Sequence, residues 1–201
     1  MKNLNDLNLS IESSRYISNA AVNGGALYLD KTLINNNFQS NIKLTNVTFQ
    51  SNIAYDYGGA LYSDYDKLYV AEIQDVNFNK NIANIAGGAI FVPNEYNKKS
   101  LDISKCNFVN NIGETHGNDF TTEVSYIKLS NTDINTIIKS GDYIPLKFSL
   151  YDEYGKFIFD KFNIYSGISL SINIQNNDTP KYEIRENKCT FFMGKYYNNI
   201  Y

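Results

Sequence analysis

The chain has no tryptophan, one histidine, two cysteines and two arginines in 201 residues, and each scarcity removes a class of function. Cys106 and Cys189 are too few for a disulfide framework, and with a single histidine they give no zinc-ligand spacing. Arg15 and Arg185 stand against 16 lysines scattered along a chain of net charge −3, so no basic face is offered to nucleic acid. No apolar run is long enough to span a bilayer, and residues 1–6 lack the apolar stretch of a signal peptide. Phosphate-cradling glycine loops, dinucleotide fingerprints and recognisable nucleophile motifs are also missing. These absences lead us to expect no cofactor, no metal and no nucleic-acid partner. Asn, Ile, Lys and Tyr are abundant, a skew that reflects AT-rich coding, so the number of Asn or Tyr residues carries no argument by itself.

What the chain does have is a repeat. Gly-Gly-Ala-Leu/Ile begins at Gly24-Gly25, Gly58-Gly59 and Gly87-Gly88, with steps of 34 and 29 residues. Ahead of each lies an aromatic followed three residues later by Asn: Tyr16/Asn19, Phe49/Asn52 and Phe78/Asn81, then a fourth pair, Phe108/Asn111. Apolar residues keep fixed offsets before the aromatic, as in Ile42, Leu44 and Val47, then Ala71, Ile73 and Val76, then Leu101, Ile103 and Cys106. A worn fifth copy runs through Ile127, Leu129, Thr132 and Ile134, and residues 117–120 read as a decayed Gly-Gly-Ala-Ile.

Within a copy, Ile42/Leu44 and Val47/Phe49 are each spaced by two, the strand period. The step of three between the pairs places a corner at Thr45-Asn46, and likewise at Gln74-Asp75, Ser104-Lys105 and Ser130-Asn131. A third short strand follows each Gly-Gly. Three strands and three corners in about 30 residues make one coil of a parallel β-helix. Half a dozen inward side chains do not offset the backbone entropy of such a coil, so coils must stack to be stable. Phe49, Phe78 and Phe108 are then expected to form an internal stack, and Asn52, Asn81 and Asn111 an amide ladder. About four and a half coils fill residues 1–137, and Leu9, Ile11 and Tyr16 place the chain's start inside a coil, as expected for a fragment of a longer protein.

After residue 137 the repeat stops. Strand-like alternation covers residues 143–151 and 156–164, with a turn at Asp152-Glu153-Tyr154-Gly155, then 168–174, 181–185 and 190–193. Residues 138–201 read as a small immunoglobulin-like β-sandwich, about 60 residues against the usual ~100 and therefore truncated.

Few residues point to a site. Tyr55, Tyr57, Tyr62, Tyr65 and Tyr69 crowd one coil, and Tyr28 and Phe91 occupy the place of Tyr62 in its neighbours. If that place faces outward, Tyr28, Tyr57, Tyr62, Tyr65 and Phe91 form an aromatic strip for a glycan or a surface protein. Either Ala60/Tyr62 or Leu61/Ser63 fits as the buried pair, and Ser63 favours an inward Tyr62. A β-helix enzyme acting on polysaccharides would need clustered carboxylates, for which Asp56, Asp64 and Asp66 with Asp30 are the candidates. The plainer reading makes them solvated loop carboxylates. His116, beside Glu114, reads as an exposed loop histidine, and Cys106, aligned with Val47 and Val76, as a small buried hydrophobe.

Phe-x-x-Asn paired with Gly-Gly-Ala-Ile resembles the repeat of the chlamydial polymorphic outer membrane proteins, most closely where Phe49 to Asn52 precedes Gly58 and Phe78 to Asn81 precedes Gly87. Similar repeats occur in large surface proteins of single-celled eukaryotes. The resemblance covers residues 9–137 and implies a right-handed parallel β-helix displayed at the cell surface for adhesion or structure, with any membrane anchor outside this chain. The expected function is a non-enzymatic surface module; the alternatives are a polysaccharide lyase or hydrolase and a glycan-binding module.

Overall fold

The computed structural model describes residues 8–30, 41–65, 68, 71–93, 101–130, 144–171, 188–190 and 195–200. Two compact units divide the chain, residues 1–123 and 124–201. Every described element is β, apart from a single helical turn residue, Leu68.

The first unit is a parallel β-solenoid built of four sheets, each running from coil to coil. The first sheet contains β1 (Asn8–Glu12), β5 (Asn41–Thr45) and β9 (Glu72–Gln74). The second contains β2 (Arg15–Ile17), β6 (Thr48–Gln50), β10 (Val76–Asn79) and β13 (Cys106–Val109). The third contains β3 (Ala20–Ala21), β7 (Ile53–Ala54), β11 (Ile82–Ala83) and β14 (Ile112–Gly113). The fourth contains β4 (Leu27–Leu29), β8 (Leu61–Ser63), β12 (Ile90–Phe91) and β15 (Phe120–Thr121). A coil therefore has four strands, where the spacing predicts three. The extra one has two residues, one of them a buried Ala at positions 54 and 83, too short to show an alternation.

Among the described residues three coils supply a strand to each of the four sheets and a fourth supplies strands to three of them. In the fourth, Leu101 is buried and Ile103 packs on the core, but Asp102 accepts a hydrogen bond from the Ser104 amide at 2.9 Å and the segment turns instead of pairing. The expected fifth coil does not form from Ile127 and Leu129. Both lie in β16 (Tyr126–Leu129), which pairs antiparallel with β17 (Ile144–Tyr151) in the second unit. A spacing of two reads alike in parallel and antiparallel strands, so sequence could not separate them. Thr132 and Ile134 lie outside the described residues.

Corners are made by left-handed residues. Ser13, Asn46 and Asp75 turn the chain from the first sheet to the second, with φ of 46°, 53° and 55°. Ser18, Ser51, Lys80 and Asn110 make the next corner, with φ of 53° to 55°. Gly24, Gly58, Gly87 and Gly117 make a third, with φ between 61° and 71°. Short polar side chains and Gly tolerate this region best, and Lys80 shows that the stack imposes it.

Ile42, Leu44, Val47, Phe49, Leu61, Val76, Phe78 and Ile90 fill the interior, each at most 1% exposed. Cys106 packs on this core as expected and is partly buried, and its thiol is pushed up to about 11, first by desolvation and then by Asp102.

In the second unit β17 is central, flanked antiparallel by β16 and β20 (Lys195–Ile200), and β18 (Ser169–Ser171) pairs antiparallel with β19 (Lys188–Thr190). The expected turn after residue 151 is present: Asp152 accepts from the amides of Tyr154 and Lys156 at 3.0 and 2.7 Å, and Gly155 has φ 77°. The expected strand at 156–164 is not. Among the described residues only Phe157 bridges, to Tyr151, and the chain then folds around the buried Asp160, whose carboxylate accepts from the Ile164 and Tyr165 amides, both at 2.8 Å. A carboxylate that satisfies two local amides favours a turn over a ladder. Five strands, β16 to β20, are present among the described residues, fewer than the seven of an immunoglobulin sandwich. Residues 181–185 lie outside them.

Candidate functional site

Two repeated features could carry function, the asparagine corner inside the solenoid and the aromatic row on its fourth sheet. The corner is built by Asn19, Asn52, Asn81 and Asn111. Each Oδ1 of Asn52, Asn81 and Asn111 accepts both the backbone amide (3.0 Å) and the side-chain amide (2.9 Å) of the Asn one coil earlier. The second Nδ2 hydrogen goes to a backbone carbonyl: Asn52 to Tyr16, Asn81 to Phe49 and Asn111 to Phe78, at 3.0 to 3.1 Å. Beside the ladder, the rings of Tyr16, Phe49, Phe78 and Phe108 stack at 5.1, 5.0 and 5.2 Å. Asn52 and Asn81 are fully buried, so their amides serve the coil contacts and cannot meet a ligand.

The glycine pairs are structural too. A Cβ on Gly59 would overlap the carbonyl of Gly88, and one on Gly25 would overlap that of Gly59. Backbone passes backbone here with no room for a side chain.

On the fourth sheet the inward pair is Leu61/Ser63, with Leu61 in the core, and Tyr62 points outward, opposite to the orientation favoured by Ser63. Tyr28, Tyr62 and Phe91 are paired in register and stack, 5.0 Å apart for Tyr28 and Tyr62 and 5.9 Å for Tyr62 and Phe91. The row is accessible unevenly. Tyr28 is 44% exposed and Tyr62 half-buried, while Phe91 is fully covered, with the Tyr57 ring tilted over it at 4.5 Å. Tyr65 lies apart from the row, 4% exposed in the core cluster. Both faces of Tyr62 are taken by its neighbours, so the stack offers ring edges and hydroxyls and no open face at its centre.

Carboxylates border the row. Asp30 and Asp64 follow the paired strands β4 and β8, and Asp64 donates its backbone amide to Leu29. Burial, then Asp30 and Asp64, raise the Tyr28 phenol above its ordinary value. Burial, then Asp64, Tyr28, Glu123 and Tyr57, raise Tyr62 further. Negative charge beside a phenol disfavours phenolate, so these hydroxyls remain hydrogen-bond donors at any physiological pH. Asp56 is half-buried on its own coil, and Asp66 lies outside the described residues. Among the described residues no group of three His, Cys, Asp or Glu side chains could hold a metal ion.

His116 departs from the sequence reading. It is 5% exposed, in bridge register with Tyr57 and Ala86, with Nδ1 2.9 Å from the Thr115 hydroxyl and Nε2 3.1 Å from the Thr122 carbonyl. A carbonyl only accepts, so Nε2 carries a proton and the ring staples its own loop. Sequence gave no sign of this, because the row holding His116 contains Tyr57 and Ala86 in other coils.

No curated protein and no solved structure matches the chain. A family model does: residues 46–64 and 75–93, which carry the two central copies of Phe-x-x-Asn with Gly-Gly-Ala-Leu/Ile, match the Chlamydia polymorphic membrane protein (Chlamydia_PMP) repeat.

Proposed function

We propose that this chain is a non-enzymatic surface repeat module, a rigid spacer that displays the outward faces of its sheets for adhesion. One observation carries the reading: the repeated polar residues are spent holding coil to coil. The amides of Asn52, Asn81 and Asn111 all bond within the stack. What recurs in this chain is thus an architectural device, and contact with a partner falls to the variable outward positions. The row of Tyr28 and Tyr62 is the favoured contact surface, through ring edges and phenol hydroxyls donated to acceptors on a glycan or a neighbouring protein. The match to the polymorphic membrane protein repeat supports a place at the cell surface.

The test is antibody staining of native cells against this segment with and without permeabilisation. Staining of intact cells is the expected result. Signal that needs permeabilisation would remove the surface reading and turn attention to an internal scaffold or an enzyme.

A further inference from the structure

Coil four keeps the backbone of the repeat through residues 117–120 but changes its side chains. Gly88 donates its amide to the Gly117 carbonyl at 2.9 Å, as Gly59 does to Gly87, and the Asp119 carbonyl accepts from Ala89 and Ile90 as the Ala89 carbonyl does from Ala60 and Leu61. Backbone geometry therefore does not explain why Asn118 and Asp119 stand where earlier coils have Gly and Ala. Their side-chain bonds do.

Ladder polarity comes first. Asn81 gives its Nδ2 hydrogens to Asn111 Oδ1 and to the Phe49 carbonyl. Asn111 gives one to the Phe78 carbonyl and, where a fifth asparagine would stand, the other to Asp119 Oδ1 at 3.1 Å. The third sheet shows the same substitution. Ile112 and Glu114 donate their amides back to coil three, so by the alternation of a parallel ladder the Gly113 amide points onward. It donates to Asn118 Oδ1 at 3.2 Å. Position 118 is also where a Cβ becomes tolerable. On Gly88 it would overlap the Asn118 carbonyl and the backbone of Ile112, whereas no further coil stacks on Asn118 among the described residues.

We infer that Asn118 and Asp119 terminate the solenoid, their side chains standing in for the backbone carbonyl and the asparagine amide that a fifth coil would supply. The departure at 117–120 is a stop signal. It satisfies two donors at the last edge and puts a side chain where another coil's backbone would have to pass, which blunts an edge otherwise open to pairing. Solenoids need polar ends, and this one makes its end from two residues of the repeat itself.

Hydrogen exchange on the full chain tests this. In Asn118→Gly the Gly113 amide should exchange about fivefold faster or more, the loss of one hydrogen bond, while the Ala83 amide beneath coil four keeps its rate. In Asp119→Ala the Asn111 side-chain amide should exchange faster, and Asp119→Asn, which retains an Oδ1 acceptor, should restore it. An unchanged Gly113 rate in Asn118→Gly, or Gly113 and Ala83 rising together, would overturn the inference.

Discussion

The Nδ2 of Asn52 donates to Oδ1 of Asn81 at 2.9 Å, and that same oxygen accepts the Asn52 backbone amide at 3.0 Å. One side chain thus fixes both the position and the register of the coil before it. Asn81→Ala would strand the backbone amide and one Nδ2 hydrogen of the fully buried Asn52 and take a donor from the Phe49 carbonyl, while Asn111 Oδ1 would keep the backbone amide of residue 81. At about 1–3 kcal/mol for each unsatisfied buried group, we expect a loss of at least ~3 kcal/mol in denaturant unfolding. Asn81→Leu should be no better, because the orphaned partners remain. Asn19→Ala, at an exposed ladder position, should cost about 1 kcal/mol or less.

The aromatic stack gives a second expectation. Phe78 is fully buried between Phe49 and Phe108. Phe78→Ala should destabilise by about 3–5 kcal/mol, and Phe78→Leu by clearly less, in thermal or urea melts.

Gly59 and Asn118 are equivalent in the repeat and should respond in opposite ways. Gly59→Ala places a methyl on the Gly88 carbonyl and should abolish cooperative folding or lower the melting temperature by more than ~10 °C, roughly a loss above 3 kcal/mol. Asn118→Ala already has room for its Cβ and should cost about 1 kcal/mol, the single bond to Gly113.

Alkaline pH should weaken the fold. Cys106, Tyr28 and Tyr62 all have raised values in the folded chain, so each favours the folded state while neutral. Their contribution is complete below the ordinary thiol value, begins to fall as pH passes about 9 and, for Cys106, is lost through about 11. At pH 8 the native Cys106 thiol should alkylate roughly a hundredfold more slowly than in urea, since two pH units separate the folded value from the ordinary one. Equal rates would show that the thiol is not desolvated.

Much of this fold is legible in the sequence, and the reasons are specific. Phe49/Phe78/Phe108 and Asn52/Asn81/Asn111 announce themselves because identical residues stacked in register must recur at one period. The two-residue strands are hidden because Ile53–Ala54 offers one outward and one inward residue. Ala60/Tyr62 and Leu61/Ser63 each fit as the buried pair in the sequence, and the polar Ser63 misleads because it is buried on Leu61's side of the sheet with its hydroxyl bonded to the Tyr65 amide at 3.2 Å. In the second unit, Asp160 converts an alternating segment into a turn through bonds that no periodicity records. The candidate contact row was legible as a row, but not its burial: Phe91 is covered by Tyr57, a residue from another corner of the preceding coil.

The central claim is that consecutive repeats lie side by side in parallel register. Thr48 and Asn77 are register partners on the outer face of the second sheet. Neighbouring strands lie about 4.8 Å apart, within disulfide reach, whereas a partner two residues along is about 8 Å away. In a chain carrying Cys106→Ala and Cys189→Ala, the pair Thr48→Cys with Asn77→Cys should oxidise readily to an intramolecular disulfide, and Thr48→Cys with Asn79→Cys should not. Efficient bridging of the second pair in place of the first, or of neither, would contradict the stacked-coil account.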